Sequence, residues 1–353
     1  MKKDTRKNKF KDKFDFWATN SEEGGWNISS TDEGSQKMLE EENEKQIKIQ
    51  TGTDVIDDFV IDEDTSDDER MIVNMGPQHP STHGVLRLQA ELEGEVVRRV
   101  KPIIGYLHTG MEKTGEELNY FQGPTNTTRM DYLSPLFNEL VFSLTTEKLI
   151  GIEVPDRAKN IRILMTELNR ISSHLVALAT GGMDIGALSM MIFGFREREL
   201  ILNFFEKTTG LRMNHNYIRP GGVAADLPDG WQKDIEEILK IIPEKLQDYD
   251  DMLLDNPIWK GRLQNVGILT TEECFAYGVT GPSLRASGHS WDLRKAQPYS
   301  GIENFEFEVP VLNEGDVFAR WRIKVLEIFE SLKIVEQALN KMPKGPYKVQ
   351  DKK

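Results

Sequence analysis

The chain has 353 residues, of which 38% are hydrophobic and 29% charged, so it can bury a core and has room for one to three domains. Its 44 basic and 58 acidic residues give a net charge of −14, which argues against nucleic-acid binding because phosphate contacts need clustered basic side chains. The single cysteine, Cys274, excludes an intrachain disulfide and any zinc site or iron–sulphur cluster that this chain would build from its own thiolates. No signal peptide is predicted, and apolar stretches such as Leu188–Phe195 are shorter than the roughly 20 residues of a membrane span.

The first 70 residues differ in composition from the rest. They contain 11 basic and 20 acidic residues and therefore carry −9 of the net charge of −14. Their apolar residues are sparse and follow no sustained period, so they cannot bury enough surface to offset the entropy of ordering. We expect residues 1–70 to be a disordered, charged extension, either a solvating tail or a docking arm.

Two strands are predicted at the start of the folded part. Apolar residues alternate with polar ones from Leu86 to Leu92, which is typical of a half-buried strand. Glu93-Gly94 is a turn signal, and Val96–Ile104 can return as a second strand. Residues 71–112 are therefore expected to form a small β-sheet.

The middle of the chain has helical periodicity. Apolar residues recur at helical spacing in four segments, which predicts a bundle over residues 113–256. These segments are Leu133–Leu144, Ile161–Leu178, Ile185–Gly210 with Gly210 as the C-terminal cap, and Trp231–Ile242 with Pro243 as a possible kink. Residues 257–353 read as loops, a strand at Phe305–Val311 and a last helix that Asp316 caps. The predicted fold class is α+β and mainly α, with a small N-terminal sheet, a central bundle of long helices and a loop-rich C-terminal part.

The densest cluster of chemically active residues is the loop Gly76–Gly84, just before the first predicted strand. Two prolines and two glycines constrain it, and it contains His79 and His83. A constrained loop can hold a histidine for proton transfer or ligand binding. The spacing of the histidines also suits a metal on a helix, but two prolines disfavour a helix there. A purely structural loop is the third alternative.

Two further clusters flank the predicted helices. Arg129 and Tyr132 are three residues apart near a helix start, where one helical turn could present both, although Asp131 and Tyr132 also suit a routine first turn. Asp184 lies between two apolar helices, either as the N-cap of the next helix or as a carboxylate that points into a cavity.

Two other sets of residues have a structural interpretation. Arg196–Glu199 indicates a solvated or salt-bridged helix face. His174 falls on an apolar stripe and indicates a satisfied core histidine rather than a ligand.

Together these clusters resemble the D-type core subunit of the NADH:quinone oxidoreductases, the respiratory complex I family. The similarity extends in order over residues 71–342. The matching segments are Met75–Arg87, Gly105–Gly110, Arg129–Tyr132, Asn169–His174, Phe195–Arg198, Tyr217–Gly222, Gly281–Gly288 and Asp292–Tyr299.

The resemblance implies a fold like the large subunit of nickel–iron hydrogenases and a role in quinone reduction. It implies that His83 and Tyr132 bond the quinone carbonyls and supply protons, and that Asp184 pairs with His83. His79 would line the same chamber, and Arg129 would lie near the terminal iron–sulphur cluster of a neighbouring subunit. The nickel–iron centre itself needs four cysteines and is excluded.

The resemblance also implies the surroundings of the chain. Its partners would be the iron–sulphur subunit, the other peripheral-arm subunits and the membrane arm, on the cytoplasmic side of the inner membrane. The chain would bind no cofactor itself, with quinone as substrate and FMN and the clusters on partner subunits.

The sequence departs from the family pattern at two points. Asn214 stands where many members have a histidine close to the cluster, and His215 follows one place later. Members usually continue beyond the position of Lys353 through a glycine-rich segment, so a fragment or a split gene product is expected.

Two other functions stay open on the residues alone. The chain could be a truncated, non-catalytic assembly or scaffold component of such a complex. It could also be a zinc hydrolase that uses His79 and His83, for which no convincing third ligand is evident.

Overall fold

The structure, a computed structural model, describes residues 70–82 and 84–350. The predicted disordered extension therefore lies outside the described residues except for Arg70. The chain divides into two compact units, and the described part of the first consists of residues 70–72 and 91–98. The second comprises residues 73–90 and 99–353, as far as the structure describes them. The domain boundaries proposed from the sequence stay predictions.

A three-stranded sheet opens the described chain. Its strands are β1 (Arg70–Met75), β2 (Arg87–Glu93) and β3 (Val96–Ile103), in the order β1-β2-β3. Two strands were predicted, over Leu86–Leu92 from alternation and over Val96–Ile104 from the turn before it, and both are confirmed. Strand β1 was not predicted, because its first three residues are exposed and it lacks a buried face.

Helices dominate the rest of the described chain. Their bounds are α1 (Met111–Glu117), α2 (Gly123–Thr127), α3 (Pro135–Ile150), α4 (Asp156–Asp184), α5 (Leu188–Thr209), α6 (Trp231–Leu253), α7 (Pro257–Leu263), α8 (Thr271–Ala276), α9 (Gly281–Ala286), α10 (Leu293–Ala296) and α11 (Val317–Lys341). A short hairpin of β4 (Ile218–Arg219) and β5 (Gly222–Val223) lies between α5 and α6. The four predicted helical segments and the last helix are thus confirmed, which makes the fold mainly helical with small antiparallel sheets.

Helix α4 is the centre of the bundle. It packs against α3, α5 and α11, and α6 packs against α5 and α11. Every residue from Ile161 to Asn169 is buried, as expected of a helix that has neighbours on all sides. Glycines let α5 come close to α4: a Cβ on Gly194 would lie 2.8 Å from the Cβ of Ala179. Side chains held by α4 are therefore on a helix that is packed on several sides.

Helix ends follow local signals in most places. Gly210 ends α5 with φ of 82°, which a glycine adopts without strain, and the carboxylate of Asp316 accepts the Ala319 N–H at 2.7 Å. Both caps were predicted and are confirmed. Helix α6 continues through Pro243 to Leu253.

The strand predicted over Phe305–Val311 is wrong. Phe305 and Phe307 are buried as the alternation required, but within residues 70–82 and 84–350 no strand pairs with the segment. Side chains of α11 take the place of a neighbouring strand: the Glu306 N–H donates to the Gln337 side-chain oxygen at 2.9 Å, and the Glu308 N–H donates to Glu330 at 2.8 Å.

Among the described residues, we find no helix with both the length and the apolar character that crossing a membrane requires.

Candidate functional site

The loop after β1 is fixed by Gly76 and Thr82. Gly76 has φ of 87°, and a Cβ there would lie 2.1 Å from the Leu86 carbonyl oxygen, so only glycine fits. Thr82 is buried, and its hydroxyl and its N–H both donate to the His79 carbonyl, at 3.0 and 3.1 Å. These contacts hold the backbone of the loop.

Of the two histidines that were predicted as site residues in this loop, the structure describes His79. The His79 side chain is exposed. His83 lies outside the described residues, so its position, its pairing with Asp184 and its bond to a quinone stay predictions. The two ends of the loop are tied together by Arg87, which donates to the Asn74 amide oxygen at 2.9 and 3.1 Å.

Tyr132 lies in a tight turn between α2 and α3. The Asp131 carboxylate accepts the Leu133 N–H at 3.1 Å, and the Asp131 carbonyl accepts the Asn138 amide at 3.0 Å. From α4, the Asn169 amide donates to the Leu133 carbonyl at 3.0 Å and its oxygen accepts the Leu136 N–H at 3.1 Å. The Tyr132 side chain is 45% exposed on this held backbone.

The turn corrects the prediction that Arg129 and Tyr132 share one turn of a helix. Helix α2 ends at Thr127 and α3 begins at Pro135, so both residues lie between the helices, and Asp131 is not a first-turn acid. The proline at the start of α3 explains the boundary, because its fixed φ suits a first helical turn and disfavours helix in the residue before it. Arg129 is exposed and donates to the Thr125 carbonyl at 3.3 Å.

Asp184 is the last residue of α4, and its side chain is exposed. The prediction that it caps the next helix is wrong, because the N-cap of α5 is Ala187. Between the two helices, Arg262 donates to the Ile185 carbonyl and holds the junction. A carboxylate at this position lies at the negative end of the dipole of α4.

His215 lies in the loop between α5 and β4 and is 4% exposed. Its Nε2 donates to the Arg212 carbonyl at 3.2 Å, and its ring meets Phe205 edge-on at 4.8 Å. Burial lowers the pKa of His215 to about 4, so the ring is neutral at pH 7. Asn214 and Asn216 both have positive φ, which asparagine tolerates better than most residues.

Glu139 is a buried acid beside the candidate site that the sequence interpretation missed. Its carboxylate is fully buried and accepts the Thr128 hydroxyl at 2.6 Å and the N–H groups of Asn216, Tyr217 and Ile218 at 2.6, 2.8 and 2.9 Å. Burial raises the pKa of Glu139, and the four hydrogen bonds oppose this rise. The carboxylate joins the turn of Arg129 to the loop of His215. Its position on the buried stripe of α3, between Leu136 and Leu140, was the available signal.

Replacement of Glu139 by alanine should destabilise the protein by about 3 kcal/mol, because four buried donors would lose their acceptor. The measurement is the free energy of unfolding of the full chain in urea. Glu153→Ala removes an exposed glutamate and should change it by less than about 0.5 kcal/mol. Equal losses in the two variants would contradict the role given to Glu139.

Other charged residues are also buried. In the run Arg196–Glu199 the side chains of Glu197 and Arg198 are buried. Glu197 pairs with Arg196 and accepts the Tyr249 hydroxyl, both at 2.5 Å. The run is therefore salt-bridged as predicted, but half of it is not solvated. His174 is a buried, hydrogen-bonded histidine, as predicted.

The metal alternative gains no support from the described residues. Within residues 70–82 and 84–350, no three histidine, cysteine or acidic side chains group as metal ligands would. The proposed zinc pair includes His83, which lies outside these ranges.

Comparison with known proteins decides the family. The sequence model of the 49 kDa subunit of respiratory-chain NADH dehydrogenase matches residues 184–353. The NADH-quinone oxidoreductase D subunit of Mycobacteroides abscessus is 54% identical over 310 residues, which cover 87% of this chain and 72% of the relative. The chain belongs to the D-subunit family of NADH-quinone oxidoreductases.

Other members of the family are as similar. A NADH-quinone oxidoreductase D subunit of Salinispora arenicola is 58% identical over 292 residues, and that of Rhodococcus jostii is 58% identical over 288. These matches cover 82% and 81% of this chain. The chain spans 66% of the length of each of these two relatives.

Proposed function

We propose that the chain is the component of a membrane-associated, proton-translocating NADH:quinone oxidoreductase that forms part of the quinone head-group chamber and supplies protons for quinone reduction. The observation that carries this proposal is the turn of Tyr132. An exposed phenol stands on a backbone held by Asp131 and by Asn169 of the central helix. Such a group can present a hydrogen-bond donor to a quinone carbonyl at a fixed position. Membership of the D-subunit family supports the same role.

The chemistry divides between this chain and its partners. Reduction of a quinone consumes two electrons and two protons. In the proposal the electrons come from a neighbouring iron–sulphur subunit, and Tyr132 and the His83–Asp184 pair hold and deliver the protons. His79 lines the chamber, while Arg129 and His215 lie near the neighbour's cluster.

This chain is proposed to bind no flavin or cluster of its own. Its single thiol, Cys274, is buried and donates to the Ser287 hydroxyl at 3.5 Å. Further partners would be the other peripheral-arm subunits and the membrane arm, on the cytoplasmic side of the inner membrane. The hydrogenase-like fold assignment belongs to the same proposal.

Asp184→Asn in the assembled complex should lower the rate of quinone reduction by about tenfold, a barrier increase of about 1.4 kcal/mol. The carboxylate would favour the protonated form of His83, and asparagine removes that charge. His83→Ala should then largely mask Asp184→Asn, since both act on one group.

A purely structural Asp184 gives the opposite result. Asparagine has nearly the shape of aspartate, so a side chain with only a structural role should leave turnover unchanged after the substitution. Wild-type turnover in Asp184→Asn would reject the proton-donor pair. A complex that assembles around the wild-type chain yet never reduces quinone would instead favour the scaffold function.

A further inference from the structure

A large cavity begins beside the turn of Tyr132. Its volume is about 560 Å³, which leaves room for roughly twenty water molecules at the volume of liquid water. Asp131 and Ser134, which flank Tyr132, line it, as do Ser173 and His174 of α4. The hydroxyls of Ser134 and Ser173 are 3.5 Å apart, so the turn meets α4 one residue before the histidine.

His174 is held from behind by a buried carboxylate. Its Nε2 lies 2.8 Å from the Glu327 carboxylate, which is fully buried on α11. Arg285 of α9 donates to the other oxygen of Glu327 at 2.7 Å and to the Trp291 carbonyl at 2.8 Å. Because Glu327 can only accept here, the Nε2 of His174 carries a hydrogen, and the Nδ1 is left to exchange protons.

The charges around this histidine favour its neutral form. Burial lowers the pKa of His174, the Glu327 carboxylate opposes this, and the positive charges of Arg170 and Lys324 add to the lowering. Burial alone would raise the pKa of Glu327, but the hydrogen bond from His174 and the charge of Arg285 lower it overall. With His174 neutral, Arg285 supplies the charge that keeps Glu327 ionised.

The other walls of the cavity add few charges that face His174. Helix α3 contributes only uncharged residues to the lining, and the Asp131 carboxylate is bonded to the Leu133 N–H of its own turn. Asp292 and Arg294, which also line the cavity, neutralise each other at 2.7 Å. His174 therefore lines the cavity as a neutral imidazole whose Nδ1 can take up a proton and release it again.

We propose that His174, oriented by Glu327, is a further proton-holding group for quinone reduction, serving the cavity beside Tyr132. The inference rests on the proposed function. In the step, the neutral imidazole of His174 takes up a proton from solvent at Nδ1 and then releases a proton to water in the cavity, which leaves the ring neutral again. Two electrons from the partner's cluster and two protons convert quinone to quinol. Tyr132 and the His83–Asp184 pair deliver those two protons, and the proton that His174 passes into the cavity replaces the one that Tyr132 gives up.

The test is His174→Gln in the assembled complex. The glutamine amide can still donate to Glu327, so the buried ion pair with Arg285 stays satisfied, but it cannot carry a proton. Quinone reduction should fall about tenfold while NADH still reduces the clusters at the wild-type rate. Added millimolar imidazole should restore much of the loss, because a diffusible base that enters the cavity replaces the missing carrier.

A control and a second variant complete the experiment. His289→Gln changes a half-buried histidine outside the cavity, beside Phe275, and should leave turnover and its response to imidazole unchanged. His174→Ala makes room for imidazole and should show the larger rescue. Wild-type turnover in His174→Gln, or a loss that imidazole does not relieve in either variant, would overturn the proposal.

The proposed function fails by a different result, namely an inactive wild-type complex or a Tyr132→Phe complex with normal turnover.

Discussion

Tyr132→Phe is expected to slow quinone reduction by about tenfold to hundredfold without loss of assembly. The substitution removes one hydroxyl and keeps the ring. Asp131 and Asn169 hold the turn through hydrogen bonds to backbone groups. None of these bonds involves the Tyr132 hydroxyl. A lost hydrogen bond to a reacting group costs about 1–3 kcal/mol, which gives this range of rates.

The measurement separates chemistry from assembly. Cluster reduction by NADH should keep its wild-type rate, and quinone reduction alone should fall. Tyr277→Phe is the matched control, because it removes the hydroxyl of another exposed tyrosine, the C-cap residue of α8. If the two variants turn over equally fast, Tyr132 does not donate to the quinone.

Tyr132 illustrates what the sequence can and cannot predict about the site. Its residue type and motif were enough to select it, since few side chains combine an apolar ring with a donor. Its setting was not predicted, because the turn depends on Asn169, which is 36 residues away from Leu133 in sequence. Periodicity indicates which face of a helix or strand is buried. It does not indicate which distant side chain will contact that face.

The segment Phe305–Val311 shows the same limit in the fold. Alternation correctly placed Phe305 and Phe307 in the core. A strand also needs a neighbour with free backbone groups, and here the Gln337 side chain both accepts the Glu306 N–H and donates to its carbonyl, at 2.9 and 2.6 Å. The backbone of the segment thus pairs with a side chain of α11 and not with the backbone of another strand, so the extended segment is not a strand.

Buried charges were the least predictable feature. Composition places charged residues at the surface on average, and Arg162 and Glu147 carry no motif. Yet Arg162 is 1% exposed, in the middle of α4, and its guanidinium bonds Glu147 of α3 at 2.5 and 3.0 Å. A charged residue within the apolar stripe of a helix, as at Glu139 and Arg162, is therefore a sequence signal for a buried charge with hydrogen-bonding partners.

Arg162→Met should lower the free energy of unfolding by about 3–5 kcal/mol, the cost of leaving one member of a buried ion pair alone. The loss extends to the hairpin, because Arg162 also donates to the carbonyls of Arg219 and Gly222 at 2.8 and 2.9 Å. Urea unfolding of the full chain, followed by circular dichroism of its helices, measures the change. Lys159→Met on the same helix breaks an exposed pair with Asp156 and should cost less than about 1 kcal/mol.

The double variant Arg162→Met/Glu147→Leu identifies the source of this cost. If the loss comes from an isolated buried carboxylate, removing that carboxylate as well should return part of the stability, so the double variant is less destabilised than the two single variants added together. Recovery should be incomplete, because the hairpin carbonyls still lack their donor and the Gly221 N–H loses its bond to Glu147 at 2.8 Å. Strict additivity would mean that Arg162 stabilises the hairpin alone and that its pairing with Glu147 contributes nothing.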